Sequence, residues 1–233
     1  MEWTGEALLI GVRRHGESSV IAEAMVVGRG RHLGLVRGGR SSKLAATLQP
    51  GNSVQLTWRA RLEEHLGNFT VELLRPRAAE LIADRTRLYL AQTLCEHLRL
   101  LPERDPHDRL LGMALDLMDA PPEGAALARF ELALLDELGF GLDLTACAAT
   151  GVTTDLAYVS PKSGRAVSRA AAEPYKDRLL PLPSFLAARG NASPDDLRAA
   201  FRLSGYFLDT HIWAPRRLEP PPMREALVAM LAT

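Results

Sequence analysis

Strict alternation of apolar and polar side chains in the first third of the chain restricts most strongly what this sequence can fold into. Side chains of a β-strand point alternately to opposite faces, so a period of two predicts a half-buried strand. The segment NSVQLTWRAR has this period, with inward positions at Val54, Leu56, Trp58 and Ala60. The segment GNFTVELLR repeats it, with inward positions at Phe69, Val71 and Leu73.

Apolar runs separated by turn sequences predict three further strands before these two. TGEALLIGVRR and SSVIAEAMVV flank the polar turn RHGE, and RHLGLVRGG follows them. SKLAATL predicts one helical turn before the breaker Pro50-Gly51. Because an open sheet of five short strands would leave its edges unpaired, we predict closure into a five-stranded OB-fold β-barrel over residues 1–77.

The pattern changes to a helical period after RPRAAE. LIADRTRLYLAQTLCEHLRLL and DPHDRLLGMALDLMD predict helices, the second with an aspartate at its N-cap. PPEGAALARFELALLDELGFG predicts another that ends at its glycines, with one apolar face formed by Leu127, Phe130, Leu134 and Leu138. Further helices are predicted over 194–213 and 220–231. The predicted fold class is therefore α+β multidomain, with an all-α domain over 78–233 that contains an irregular insertion at about 143–183.

Basic residues are concentrated in one stretch of a charge-balanced chain. The sequence has 28 Lys and Arg against 28 Asp and Glu, yet positions 24 to 62 hold seven basic residues and no acidic one. Arginine and lysine without acidic neighbours suit phosphate oxygens and predict nucleic-acid binding, although a solvated barrel rim would have the same composition. The residues that we expect to bind nucleic acid are Arg13, Arg14, Arg29, Arg31, Arg37, Arg40, Lys43, Arg59 and Arg61.

The glycines of this stretch, GRGRHLGLVRGGR, match no nucleotide-binding motif. A P-loop requires Gly-Lys-Ser/Thr, and GRGRHL lacks the third glycine of a dinucleotide fingerprint. We expect the glycines to let the backbone approach another molecule closely. Since Trp58 and Phe69 are predicted to lie in the core, binding should depend on phosphate contacts more than on base stacking.

Metal and hydrolytic chemistry lack the residue patterns that they require. Cys95 and His97 are two positions apart, which on a helix separates them by about 200°, so they cannot bind one ion together. LDTHIW brings Asp209 close to His211, but no serine or cysteine stands in a recognisable nucleophile turn. We therefore predict a protein that is not an enzyme and needs no cofactor.

Cysteine usage and hydropathy indicate the compartment. Two cysteines are too few for a disulfide-built secreted scaffold. The N-terminal MEWTGEALLIGVRR lacks a signal-peptide pattern, and no apolar run reaches the roughly 20 residues of a membrane-spanning helix. We expect a soluble cytoplasmic protein without a membrane partner.

Three segments together resemble the RecO family of bacterial recombination mediators, in an order that covers nearly the whole chain. They are EALLIGVRRHGESSVIAEAMVVGRGRHLGLVRGGRSSKLAATLQPG, ARFELALLDELGFGLDLTACAATG and YVSPKSGRAV. The resemblance implies an OB fold followed by a helical domain. It also implies binding of single- and double-stranded DNA, annealing of complementary strands, loading of RecA onto DNA coated by single-strand-binding protein, and association with the nucleoid.

The irregular segment departs from this family in its cysteines. Many members hold a zinc ion there with four cysteines, whereas here only Cys147 stands at the first position. Thr150 takes the second position, and the later pair is absent around Val167 and Ala170. We expect a degenerate, metal-free zinc-finger-like loop that is held by packing.

The resemblance implies two protein partners, RecR and the acidic, Phe-ending tail of single-strand-binding protein. Such a tail needs an apolar notch for its aromatic ring and a cation for its carboxylates. An ion pair of Arg129 with Glu131 or Glu123 on the helix surface is the alternative role of that arginine. The candidates for partner binding are Arg129, Phe130 and Arg178, with Arg189 as a weaker one.

Two other functions remain open at this point. The first is an OB-fold RNA-binding or translation-associated factor, which a preference for RNA over DNA would reveal. The second is a phosphate-ester enzyme that uses the glycine-rich stretch, and it would need a metal or a nucleotide.

Overall fold

Five N-terminal strands form one sheet that closes on itself. The computed structural model describes residues 1–187 and 191–233. The strand order is β1-β2-β3-β5-β4, with β4 also pairing with β1. The five-stranded N-terminal sheet predicted from sequence is thereby confirmed, and so is the helical turn. The elements are β1 (Glu2–His15), β2 (Ser19–Val26), β3 (Gly30–Val36), α1 (Ser42–Ala45), β4 (Ser53–Arg59) and β5 (Asn68–Arg75).

The seam between β3 and β5 is the shortest pairing of this barrel. The two strands run parallel and pair only at Leu35 and Asn68, whereas the other four pairings are antiparallel and seven or eight residue pairs long. Beyond this pair β3 ends at Val36 and β5 continues to Arg75. The barrel wall is therefore weakest at this seam.

The interior of the barrel follows the predicted alternation with one exception. Leu56, Trp58 and Phe69 are buried in a single apolar cluster. Leu73 was predicted to point inward, but its side chain is 40% exposed. It lies near the end of the β4–β5 ladder, beside a register shift at Ser53 that changes the direction of side chains there. The inward prediction for Leu73 is wrong.

Three helices follow the barrel within the same compact unit, which runs from Met1 to Pro121. Strand β2 is buried on both faces, including Glu23 on the outer one, and Arg99 at the end of α3 donates to Glu23 across 2.9 Å. The predicted boundary at residue 77 separates strands from helices, whereas the compact unit continues to Pro121, because contacts such as that between Arg99 and Glu23 join the helices to the barrel. Their bounds are α2 (Ala78–Ala83), α3 (Arg85–Leu98) and α4 (Asp108–Asp119).

The second compact unit runs from Pro122 to Thr233 and is mainly helical. The predicted irregular insertion contains a three-stranded sheet of order β7-β6-β8, so the expectation of an all-α region with a loop is corrected. A short 3₁₀ helix over Glu173–Arg178 and a π-helical segment over Asp209–Trp213 complete this unit. The other bounds are α5 (Gly124–Glu137), β6 (Leu156–Val159), β7 (Ala166–Ser168), α6 (Arg169–Ala172), β8 (Leu180–Pro181), α7 (Ser184–Ala187), α8 (Pro194–Leu208), α9 (Ala214–Arg216) and α10 (Pro222–Leu231).

A buried ion pair lies among the helices of this second unit. Glu131 of α5 is fully buried, and its two carboxylate oxygens accept hydrogen bonds of 2.7 and 2.8 Å from Arg224 of α10. Ser204 of α8 also donates to Glu131.

The predicted apolar face of α5 is confirmed at its fully buried members, Leu127, Phe130 and Leu134. Within the described ranges, no helix is long and apolar enough to cross a bilayer.

Candidate nucleic-acid interface

The segment after β3 presents three exposed cations. Arg37 and Arg40 lie in the turn that follows β3, and Lys43 lies in α1. The Arg40 amide donates to the Ser18 carbonyl across 3.0 Å, and its guanidinium donates to the Glu17 carbonyl, which fixes this turn against the β1–β2 turn. Among the residues that the structure describes, no carboxylate forms an ion pair with any of the three cations.

Arg13 and Arg14 lie at the end of β1, next to the β1–β2 turn, and as consecutive strand residues they point to opposite faces of the strand. Both side chains are exposed, and Arg14 stands opposite Val20, one strand away from the segment that holds Arg40. Neither arginine is ion-paired within residues 1–187 and 191–233. We define the cationic arc as Arg13, Arg14, Arg37, Arg40 and Lys43.

A groove opens beside the arc where β3 and β5 diverge. Its volume is about 420 Å³, and it is lined by Arg37 from the turn after β3 and by Arg59 at the end of β4. Leu44 of α1, Asn68 and Thr70 of β5 and three further apolar side chains complete its walls. The fold thus brings together two arginines that the sequence separates by a whole strand and helix.

Arg59 has an acidic partner, Glu2, which lies far outside the acid-free range of positions 24 to 62. It pairs with Glu2 across 2.9 Å, because β1 and β4 place these two residues opposite each other. The hydrogen bond to Arg59 lowers the pKa of Glu2, which is consistent with an ionised pair. Both side chains are exposed, so this pair is weak and a phosphate can compete for Arg59. Arg61 is exposed in the β4–β5 connection without an ion pair in the described chain.

Arg31 does not belong to the interface, which corrects the sequence prediction. It forms an ion pair with Glu23, and its Nε donates to the Leu101 carbonyl across 2.8 Å. Its side chain is only 16% exposed. Arg31 therefore joins β3 to the segment between α3 and α4, and its charge is neutralised. The pairing of Arg31 with Glu23 was not predicted from the sequence, because Glu23 lies one residue before the acid-free range of positions 24 to 62.

Arg29 is exposed but lies away from the arc. It follows β2, at the opposite end of that strand from the β1–β2 turn. Its guanidinium carbon lies 5.0 Å from the centroid of the Trp3 ring, and Trp3 stacks on Trp58 with centroids 5.7 Å apart. Arg29 thus covers an aromatic cluster at the other end of the barrel.

Two glycines of the basic stretch, Gly30 and Gly34, are required by packing within the chain, which corrects for these two the expectation of close approach to another molecule. A Cβ atom on Gly30 would lie 1.8 Å from the Asp105 carbonyl oxygen, and one on Gly34 would lie 2.5 Å from the Phe69 ring. The backbone therefore approaches its own chain at both positions. Gly38 has a φ of 64°, which an L side chain rarely adopts.

The predicted partner-binding residues differ in accessibility. Phe130 is fully buried and cannot contact a partner, so its proposed role is wrong. Arg129 donates to the Phe185 carbonyl across 2.9 Å and lies 5.3 Å from the centroid of that ring, and within the described residues it forms no ion pair with a glutamate. Arg178 is exposed in the 3₁₀ helix, and Arg189 lies outside the described residues.

Sequence reasoning missed a second groove, which lies in the helical unit. It has a volume of about 1260 Å³ and is lined by side chains of β6, the 3₁₀ helix and α8, with Tyr158, Leu156 and Leu182 among its apolar walls. Lys176 and Arg202 line it without an ion pair in the part of the chain that the structure covers. No sequence motif indicates this groove, because its walls come from separate elements between residues 144 and 202.

The surroundings of Cys147 do not fit a zinc ion. No group of three or more His, Cys, Asp or Glu side chains among the described residues could hold a metal. Cys147 packs instead with Val167 and Ala172 in a small apolar cluster. Burial acts to raise the pKa of its thiol, but hydrogen bonds from Ser168, Thr150 and Ala149 outweigh it and lower the pKa to about 6.

The other candidate catalytic groups are packed inside the helical elements. Burial raises the pKa of Cys95 to about 12, so this thiol is a poor nucleophile. The His211 ring stacks on Phe140 with centroids 4.7 Å apart. Packing in the interior therefore explains the positions of Cys95 and His211.

The structure thus combines a closed five-stranded barrel, which carries an exposed arc of cations, with a set of helices that follows it. Comparison with known proteins gives the particular family. The family models for the recombination protein O N terminal and C terminal regions match residues 1–77 and 82–219, and the chain belongs to the RecO family. This membership places it among DNA repair and recombination proteins.

Curated relatives match the chain over almost its full length. The DNA repair protein RecO of Rhizobium etli is 55% identical, over 98% of this chain and 91% of the relative. That of Methylobacterium nodulans is 54% identical, over 99% of this chain and 98% of the relative. That of Chelativorans sp. is 55% identical, over 98% of this chain and 95% of the relative.

Proposed function

We propose that the cationic arc binds the phosphate backbone of single- and double-stranded DNA, on a barrel of the OB type. The observation that carries the proposal is the exposure of all five arc residues without an acidic partner in the described chain. Each phosphate that an arginine or lysine neutralises releases a counterion, so affinity should fall steeply as salt rises.

We further propose that the protein anneals complementary strands and helps to load RecA onto DNA coated by single-strand-binding protein. A surface that neutralises the phosphates of two strands lowers their mutual repulsion and leaves the bases free to pair. No bond is made or broken in this process, so the protein acts as a mediator and not as an enzyme. A cytoplasmic location at the nucleoid belongs to the same proposal.

The helical unit is the proposed site for protein partners, including RecR and the acidic tail of single-strand-binding protein. The groove offers such a tail Lys176 and Arg202 for its carboxylates and an apolar wall for its terminal aromatic ring, and it is also lined by Asp155, Asp177 and Asp196. Arg129 and Arg178 remain proposed contacts beside it. Titration of a tail peptide against the wild type and Arg202→Ala tests this assignment. Equal affinities would exclude the groove.

A comparison of single-stranded DNA, duplex DNA and RNA of one sequence tests the DNA assignment. We expect both DNA forms to bind, with annealing of complementary labelled strands accelerated at low salt. A strong preference for RNA would favour the alternative, an RNA-binding or translation-associated factor. Stabilisation by Mg²⁺ and ATP would favour the enzyme alternative.

A further inference from the structure

The groove between β3 and β5 contains a polar atom that the fold leaves without a partner. The Oδ1 atom of Asn68 is buried and accepts no hydrogen bond from any described residue. A buried acceptor without a donor costs free energy, so such an atom in a native structure calls for a specific reason. Asn68 also lies at the one residue pair that joins β3 to β5, where the groove opens.

The walls of the groove suit a flat aromatic group with a polar edge. Leu44, Val36 and Val71 supply apolar surface, and Asn68 lines the groove with an amide whose enclosed Oδ1 atom a ligand can meet only when the side chain turns towards the groove. An asparagine amide forms paired hydrogen bonds with the edges of nucleobases. The volume of about 420 Å³ falls in the range of small-ligand sites and is at the lower end of it.

Charge at the groove favours a nucleotide over a neutral ring. Arg37 and Arg59 both line the groove, and Arg37 is also part of the cationic arc. A strand that follows the arc by its phosphates therefore passes the groove. A base is available there only from a single strand, because the bases of a duplex are paired and stacked.

We infer that this groove receives one unstacked nucleobase of single-stranded DNA, with the base edge on the Asn68 amide and the flanking phosphates on Arg37 and Arg59. The inference rests on the proposed function and adds a residue that distinguishes single strands from duplexes. One held base leaves its neighbours free, so a bound strand can still pair with its complement.

Fluorescence anisotropy with three labelled probes tests the inference. The probes are an oligonucleotide of about 16 nucleotides, a length chosen from the site sizes of OB folds, the same strand with abasic positions, and the duplex. For Asn68→Ala we expect roughly tenfold weaker binding of the intact strand, as for a lost base contact, and unchanged binding of the duplex. Gln55→Ala, on the outer face of β4 and outside the groove, is the matched control and should bind like the wild type.

The abasic probe separates a base contact from a structural effect. Wild type should bind it roughly tenfold more weakly than the intact strand, and Asn68→Ala should bind the two strands equally. Equal losses for strand and duplex in Asn68→Ala, or equal affinity of wild type for intact and abasic strands, would overturn the inference. The wild-type comparison needs no variant, so it holds even if Asn68→Ala fails to fold. Absence of any DNA binding by the wild type would instead refute the proposed function.

Discussion

Arg31 forms an ion pair with Glu23 across the β2–β3 ladder, and this pair divides the basic stretch into a structural half and an exposed half. Before Arg31, the chain is folded against the helices through Gly30 and the segment that contains Asp105. After β3, Arg37, Arg40 and Lys43 face solvent without acidic partners in the described ranges, whereas the later Arg59 pairs with Glu2. One stretch of sequence therefore serves both the stability of the barrel and the proposed interface.

Arg31→Ala should lower the free energy of unfolding by about 2 kcal/mol, because it leaves Glu23 with Arg99 as its remaining cation and removes the bond to the Leu101 carbonyl. Urea denaturation measures this change, with the exposed Lys43→Ala as the control of unchanged stability. DNA affinity of the folded variant should equal that of the wild type. Normal stability together with weakened DNA binding would return Arg31 to the interface.

Phe130→Ala should destabilise the helical unit by about 3–5 kcal/mol, because it leaves a cavity in a fully buried position. Its neighbour Arg129 is exposed, so Arg129→Ala should leave most of the stability intact. Thermal denaturation of the two variants checks this contrast. If Arg129→Ala were the more destabilised of the two, its contact with Phe185 would be the main support of this region.

Arg224→Ala should cost about 3–5 kcal/mol of stability, because it leaves the carboxylate of Glu131 buried without its cation. In a double-mutant cycle with Glu131→Gln, the double variant should be less destabilised than the sum of the single variants. Arg198→Ala, an exposed arginine of α8, serves as the control. Additive effects would mean that the pair is not coupled.

Cys147 should make stability depend on pH in a defined direction. Its pKa in the folded state, about 6, lies below the ordinary value of 9.0. An acid with a depressed folded pKa stabilises the protein fully above the unfolded pKa, and this stabilisation is lost as pH falls through the folded value. The difference in free energy of unfolding between wild type and Cys147→Ser should therefore grow from pH 6 to pH 9. A difference that stays constant across this window would contradict the shift.

Local patterns predicted those elements that are long enough to show a period. Strand β4 and the buried face of α5 were predicted correctly because seven or more consecutive residues follow one period, and β1 to β3 were predicted from apolar runs bounded by turn sequences. The strands β6, β7 and β8 were missed because they have only four, three and two residues. The N-cap of α4 is His107, where an aspartate was expected.

Contacts between distant residues explain the remaining differences. Glu23 and Arg99 are 76 positions apart, so the sequence gives no sign that this pair binds helices to β2. The sequence around Asn68 is not unusual either. Its proposed contact with a base depends on the groove that opens where β3 and β5 diverge. Composition predicted a basic surface, but the fold decides which arginines belong to it.

The salt dependence of DNA binding by Arg37→Ala/Arg40→Ala/Lys43→Ala tests the central claim most directly. Each lost phosphate contact should reduce the slope of log affinity against log salt concentration by about one unit, so the triple variant should show a slope shallower by up to about three. Its thermal stability should remain close to that of the wild type, because all three side chains are exposed and the Arg40 amide still donates to the Ser18 carbonyl when the guanidinium bond to Glu17 is lost. An unchanged slope in a folded triple variant would contradict the assignment of the cationic arc to DNA.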